Sequence, residues 1–502
     1  QRRAQMDCKA SRVHVESLKT ALHAAVDALL ERLLAACAGG EPTLEGLERM
    51  VLSELHSLGT VTLTALCATL VPRYPPAQLP CGCGGTAHYQ RQRLAQCKTL
   101  LGVVHLKRPY YLCPTCHQGH CPLDRDLGLC AGSISGGLEA LLALMGSAFS
   151  YGHAAEMVAR LSLVQVSASR CRQATNALGR ALAAHEESVS HAVWEQGHEP
   201  PPPAPEAGLG AAPGQPPLDP LYVSADGVIV PTRETGWREQ CVGALYTTTP
   251  VSHRRPAQRN AASSELAASE HVQGEHAQGE HAQGEPAPDE PASLRSRGHS
   301  YISDLGDRRA FMQSLWLEAH RRGLEQAQRT VFIGDGATWL WQSAEEHFPT
   351  AIQVLDWYHA ASYVQRTAQA LHPADAAART QWAERQLDAL WQSRTQEVLT
   401  VLASLATGCK AAEEALGYFT THQTRMDYAR YRSLGLQVGS GTIESACKHL
   451  IQARIKQAGM RWSVHNARLM GKLRARLKSG RWDETLALRT PRHRSYRRQP
   501  AP

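Results

Sequence analysis

The sequence predicts a multidomain chain of α+β / α/β class, and three observations predict it. Its 502 residues are too many for one hydrophobic core, while a 43% share of hydrophobic residues is enough to fill several. Two cysteine pairs interrupt an otherwise helical first half, the texture of a small module stapled by a metal ion. Beyond a stretch rich in Pro, Ala and Gly, short runs of Val, Ile, Phe and Tyr alternate with helical patterns, which signals a sheet covered by helices.

Residues 1–78 form a helical N-terminal region, with Leu18, Leu22, Val26, Leu29 and Leu33, then Leu44, Leu47, Val51 and Leu55, at helical spacing. Residues 79–130 carry Cys81-Gly-Cys83 and Cys113-Pro-Thr-Cys116 around two strand-like runs, Leu101-Gly-Val-Val-His-Leu and Pro109-Tyr-Tyr-Leu. Two knuckles separated by strands make a zinc-ribbon-like module, in which four thiolates hold a tetrahedral ion. Cys81, Cys83, Cys113 and Cys116 are therefore the candidate Zn²⁺ ligands. The Cys-x-Cys knuckle is tight, so His88 or Cys97 could stand in for one thiol, and Cys121 and Cys130 are expected as buried or free thiols.

Residues 131–198 are helical again. Ala154-Ala-Glu-Met-Val-Ala-Arg-Leu, a Ser-Leu-Val-Gln-Val-Ser turn and a second helix from about Ala168 fit a helix-turn-helix offering Ser169, Arg170, Arg172 and Gln173 to a DNA groove. An ordinary helical hairpin has the same pattern. Residues 199–220 are a Pro-rich linker.

Residues 221–485 read as one catalytic domain. Leu221 to Val230 and Gln240 to Thr249 form a hairpin; a third strand lies near Ser300 to Ser303, followed by a helix from Asp307 to Arg322. A fourth strand, Thr330 to Gly334, then a helix to His347 and a fifth strand, Ile352 to Leu355, complete the pattern. Three strands, helix, strand, helix, strand is the order of a ribonuclease-H-like fold, whose first and fourth strands are neighbours. Within this domain, residues 251–297 hold the repeats Glu270-His-Val-Gln-Gly, Glu275-His-Ala-Gln-Gly and Glu280-His-Ala-Gln-Gly. They read as a disordered, repeat-expanded loop, with His271, His276 and His281 at most weak metal ligands. Residues 363–431 form a helical insertion, and residues 486–502 a basic tail.

Three carboxylates carry the candidate chemistry. Asp226 and Asp335 each end an apolar strand and precede a glycine, and Glu444 opens a helix after Gly-Ser-Gly. An Asp-Gly pair alone is a turn signal, but the strand order makes Asp226 and Asp335 neighbours. Hard oxygen ligands on rigid elements suit Mg²⁺ or Mn²⁺ and a phosphoryl-transfer site. Asp356 and His359 form an Asp-x-x-His pair just past the fifth strand, either beside the site or with Asp356 as a helix cap only. Lys448 stands one turn after Glu444, as a phosphate contact or as its surface ion-pair partner. Arg454, Lys456 and Arg461 continue a tract that holds 15 Lys or Arg against two acids from Lys448 onward, which suits a polyanion.

At Ser224-Ala-Asp-Gly-Val, Trp237-Arg-Glu239, Gly334-Asp-Gly-Ala with Trp339, Leu355-Asp-Trp-Tyr-His359, Gly439-Ser-Gly-Thr-Ile-Glu444 and Met460-Arg-Trp462 the chain resembles the DDE transposases of bacterial insertion sequences, the ISKra-type group related to Mutator-like elements. These motifs cover about residues 220 to 485, and the cysteine module extends the likeness back to about residue 80. The resemblance implies that Asp226, Asp335 and Glu444 are the DDE triad and Mg²⁺ ligands. Relatives carry Cys or Asp, two residues and His at the position of Asp356 and His359. They also have Cys-x-x-Cys before Gly-Gly, where this chain has Pro80 and a shifted Cys81.

The expected function is transposition: binding of terminal inverted repeats, two-metal cleavage, and strand transfer. Partners are double-stranded DNA, as element ends and target, and a second copy of the chain. Alternatives are a catalytically inactive DNA-binding protein or repressor, and a structure-specific nuclease. No run of about 18 consecutive apolar residues and no signal-peptide pattern is legible, so a cytoplasmic, nucleoid-associated bacterial protein with no membrane contact is expected.

Overall fold

A computed structural model describes residues 2–38, 43–71, 74, 77–129, 134–202, 220–250, 294–489 and 496–497. The Pro-rich stretch 203–219, the Glu-His repeats, Cys130 and most of the basic tail lie outside the described residues. The class is mixed α+β, with two five-stranded sheets and many helices among the described residues. Contacts divide the chain into two units, Gln1–Val189 with Val230–Arg238 and Leu450–Pro502, and Ser190–Ile229 with Glu239–His449.

The first unit begins with two long helices, α1 (Arg2–Ala38) and α2 (Leu44–Ala68). Thr43 caps α2 by accepting the Gly46 backbone N–H at 3.1 Å, and Arg32 pairs with Glu54 between the helices. A window of α2 reaches a mean hydropathy of 1.3, so by length and composition this helix is apolar enough to cross a membrane. Its Ser, Thr, Gly and His residues hide that from a count of consecutive apolar residues.

Strands β1 (Gln78–Pro80), β2 (Thr86–Thr99), β3 (Gly102–Leu112) and β4 (Gln118–His120) pair antiparallel in sequence order. Helix α3 (Pro122–Asp126) is locked to β3 by a buried two-point ion pair, Arg108 to Asp124 at 2.8 and 2.6 Å. Helices α4 (Gly136–Ala148), α5 (Tyr151–Ser162) and α6 (Ala168–Trp194) follow, with Ser135 and Ser150 as N-caps. Leu138, Leu142, Ala154, Val158 and Cys171 form their core.

The second unit holds β5 (Leu221–Thr232), β6 (Gly236–Pro250), β7 (Leu294–Asp304), α7 (Arg308–Arg321), β8 (Thr330–Gly334), α8 (Thr338–His347) and β9 (Ile352–Leu355). Its sheet order is β7-β6-β5-β8-β9, with β6 and β7 antiparallel and β5, β8 and β9 parallel. Strands β5 and β8 are thus neighbours although about a hundred residues separate them. Both faces of this sheet are covered, so β8 reads as an uninterrupted apolar run rather than an alternating one. The segment after β9 is helical: α9 (Trp357–Leu371), α10 (Ala376–Trp391), α11 (Thr395–Leu405), α12 (Lys410–His422) and α13 (Tyr428–Ser433). These helices share one core with the sheet, through Val223, Phe332, Val354, Val364, Leu390, Leu402 and Phe419.

Helix α14 (Gly441–Ala446) is continued by a wide π turn, Cys447–Gln452, and by α15 (Ala453–Ile455). Then α16 (Val464–Lys478), α17 (Trp482–Ala487) and β10 (Tyr496–Arg497) return to the first unit. There α16 packs Leu473 against Leu178 and Leu182 of α6, and β10 pairs with β4.

Candidate functional site

In the parallel ladder of β5 and β8, Ser224 is registered with Ile333. Two residues on, Asp226 lies midway along β5 rather than at its end as expected, and Asp335 stands just past the last residue of β8, so neighbouring strands, generally about 4.8 Å apart, bring the two aspartates beside each other. Asp226 is half-buried and accepts the Gly227 backbone N–H at 2.6 Å. Burial, reinforced by the charge of Asp335, pushes its carboxyl above the usual range. Asp335 accepts the Ala337 N–H at 3.0 Å, a turn that launches α8. Between them Gly336 takes φ +99°, and a Cβ there would meet the Tyr418 ring at 2.6 Å. The Tyr418 hydroxyl donates to the Asp335 carbonyl at 2.6 Å.

The Asp-x-x-His pair is built into the same place. Asp356 is 1% exposed and caps α9, accepting the backbone N–H of Tyr358 at 3.3 Å and of His359 at 3.0 Å. It also accepts from His359 Nδ1 at 2.9 Å and from the Ser440 backbone N–H at 2.8 Å. Burial alone would raise its carboxyl; these donors outweigh burial and hold it low. The Asp356 hydrogen bond raises the His359 imidazole, with further contributions from the charges of Asp335 and Asp226. The Trp357 backbone N–H donates to the Val438 carbonyl at 3.0 Å, and a Cβ on Gly439 would meet the Tyr358 ring at 2.7 Å. The Gly-Ser-Gly turn is therefore held by the Asp-x-x-His segment, in which Asp356 is the helix cap.

Glu444 is positioned differently. It is exposed and pairs with Lys448 at 2.7 Å, both side chains about two-thirds exposed. The structure brings Asp226, Asp335, Asp356 and His359 together and leaves the Glu444 carboxylate with Lys448. Such a pair contributes only about 0.3–0.5 kcal/mol and is easily broken. Three residues beyond Glu444, the buried Cys447 thiol donates to Asp226 Oδ2 at 3.6 Å. Burial and the Asp226 charge raise Cys447, keeping it a neutral donor.

Cys447 was not singled out from the sequence, although its place one turn past Glu444 was a signal. Glu239, quoted from the sequence only as the end of the Trp237-Arg-Glu239 motif, closes over Gly227 and pairs with Arg308. Tyr418 had no local signal, since its role depends on a helix that packs back from far along the chain.

The four cysteines converge. Cys81 Sγ lies 3.6 Å from Cys116 Sγ, Cys83 Sγ lies 3.7 Å from Cys113 Sγ, and all four lie within 4.8 Å of one another. This group can hold a metal ion such as Zn²⁺. The Cys-x-Cys knuckle closes because Gly84 adopts φ +84° while its N–H bonds the Cys81 carbonyl at 3.0 Å. The Cys116 backbone N–H pulls the Cys113 thiol down, whereas, against the Gln118 backbone N–H, burial and the three neighbouring thiols push Cys116 up. No substitute ligand is needed: Cys97 packs instead with Cys67, Val104 and Leu106. Among the described residues this is the one group of three or more such side chains close enough to hold an ion, so Asp226, Asp335 and Glu444 do not form a preassembled set.

Of the expected phosphate contacts, Arg172, Lys448, Lys456 and Arg461 are exposed and Arg170 is half-exposed. Arg454 is a correction. It is 1% exposed, donates through Nε and Nη2 to the Gly146 carbonyl at 3.2 and 2.9 Å, and stacks near Tyr151 and Trp462. The reason is helical spacing: Leu450, Ile451, Arg454 and Ile455 share one buried face. The basic tract is also partly internal. Lys472 and Arg476 pair with Glu186, and the buried Arg474 donates to the Leu450 and Ser147 carbonyls. Compared with known proteins, the chain matches no family model and no curated protein.

Proposed function

We propose that this chain is a DNA transposase of the DDE type, with a ribonuclease-H-like catalytic domain similar to that of the ISKra-type insertion-sequence enzymes. The observation that carries the reading is the register of parallel β5 and β8, which sets Asp226, midway along β5, beside Asp335, just past the last residue of β8. The strand order supports the fold reading. The Asp356 bond to Ser440 supports Glu444 as the third acid, because it ties the turn before α14 to the end of β9.

The donor set suits a hard divalent cation. Asp226 and Asp335 are paired carboxylates whose mutual repulsion and burial a cation would relieve. In this reading Asp226, Asp335 and Glu444 hold Mg²⁺ or Mn²⁺, which when bound neutralises phosphate charge and lowers the pKa of an attacking water or 3′-hydroxyl. The protein's own groups orient the site. Asp356 fixes the His359 ring and the Gly-Ser-Gly turn, Cys447 steadies Asp226 through its thiol, and Lys448, Lys456 and Arg461 offer positive charge to the DNA backbone. The four-cysteine module, loaded with Zn²⁺, and the α5–α6 region would bind the element ends. A second copy would bring two ends together, and the bacterial cytoplasm and its nucleoid are the proposed place of action.

Cleavage and strand transfer on DNA carrying the inverted repeats that flank the gene, with and without Mg²⁺, test this directly. Asp226→Ala and Asp335→Ala should each lower cleavage by at least about 10²-fold, and full activity of Asp335→Ala would sink the assignment. The Glu444–Lys448 pair favours a second reading, a DNA-binding protein without catalysis. A metal-independent gel shift with no nicking in Mg²⁺ or Mn²⁺ would support that one.

A further inference from the structure

Helix α6 carries the arginines expected to read a DNA groove, and its surroundings assign them a different contact. A groove-reading helix must stand proud of its neighbours so that its first turns reach base edges. Here Arg170, Arg172 and Gln173 line a cleft of about 540 Å³ whose other side is formed from α4 and the segment after α17. Arg180, one helical face further along α6, and Arg489 line the same cleft, with Glu139 as its one acid among the described lining residues. Three of the four residues expected to meet bases therefore line one side of a cleft instead of standing clear of the neighbouring elements.

The cleft's chemistry is that of an anion site. Four guanidinium groups oppose one carboxylate. The side chains of Arg170 and Arg172 make no hydrogen bond or ion pair with the described residues. Arg489 is held in place by the carbonyls of Gly136 and Leu486. Planar guanidinium groups on rigid supports suit the paired oxygens of phosphodiesters.

Resting on the reading of the chain as a DNA-binding protein, we infer that the α4–α6 cleft is a clamp for the DNA sugar-phosphate backbone, gripping one strand irrespective of sequence. Base recognition at element ends then belongs to other parts of the chain. The clamp supplies affinity and register, the part that phosphate contacts play in such interfaces.

The test measures binding of the full chain to duplexes of two unrelated sequences and to oligo-dT, across a salt series. The proteins are the wild type, Arg170→Gln, Arg172→Gln, the double variant and Glu139→Gln, each checked for an unchanged thermal midpoint. The arginine variants should weaken binding by the same factor on both duplexes and lower the salt slope by about 0.9 per residue on duplex, or about 0.7 on oligo-dT. Glu139→Gln should tighten binding on every probe. Weakening confined to one duplex sequence, with an unchanged slope on the other, would overturn the clamp in favour of groove reading. Unaltered binding by the double variant would overturn it outright. The outcomes separate from the parent reading, because a wild-type chain that binds none of the probes refutes DNA binding itself. A chain that binds through these arginines but never nicks DNA loses only the catalytic assignment.

Discussion

Asp356 Oδ1 accepts the backbone N–H of Ser440 at 2.8 Å, joining positions 84 residues apart in sequence. That bond links the end of β9 to the turn that starts the Glu444 helix. Asp356→Ala should leave three buried or half-buried backbone N–H groups without their acceptor and cost about 2–4 kcal/mol of stability, read as a lower urea midpoint. Asp356→Asn, which keeps an acceptor oxygen, should cost less while still loosening His359. Equal stability of the Ala variant and the wild type would show that the turn is held by other contacts.

The same pair sets a pH dependence in metal-free protein. Asp356 lies below its ordinary 3.8, so its contribution is full above that pH and fades as pH falls through the depressed value. His359 lies above its ordinary 6.5, so its contribution is full below that pH and fades as pH rises through the raised value. The thermal-midpoint difference between wild type and His359→Gln should thus be largest between these two values and shrink as the pH rises above 6.5 and through the raised value of His359. A difference that grows with rising pH would contradict the pairing. Because His359 is half-exposed, solvent screening keeps the effect small.

Removal of metal should act on the cysteine module before anything else. Purified protein should release about one zinc ion per chain to a thiol-modifying reagent, and Cys113→Ser should lower that yield. Amide exchange should then rise in β1 to β4, whose small Ala87, Tyr111 and Cys113 cluster is a meagre core. Intact protection of those strands after chelation would refute a structural ion.

Arg454 supplies a discriminating substitution. Arg454→Ala should destabilise the first unit by about 3–5 kcal/mol, since it removes a buried guanidinium wedged between Tyr151 and Trp462 and bonded to Gly146. In whatever fraction stays folded, the salt slope of DNA binding should be unchanged. A reduced slope with unaltered stability would return Arg454 to the phosphate contacts.

Local signals in the sequence were enough for the boundaries that matter most to the site. The start of α6 at Ala168 and the span of β9, Ile352–Leu355, agree with the structure, because turn residues and apolar runs act over a few neighbours. The neighbouring of β5 and β8 followed from the order of elements. The error with Arg454 came from reading charge without helical phase, although Leu450, Ile451 and Ile455 already defined an inward face.

The sequence by itself thus determined which side chains are available: two aspartates in apolar strand segments, an Asp-x-x-His cap, and four cysteines in two knuckles. Only the tertiary structure decided that Cys447 donates to Asp226 and that Tyr418 bonds beside Asp335. It alone decided that Ser440 hangs on Asp356, and that Lys472 and Arg474 serve the interior. Which partner a polar group finds depends on what packs over it, and burial makes an unpaired group costly enough to select one long-range partner. No window of neighbouring residues contains that information.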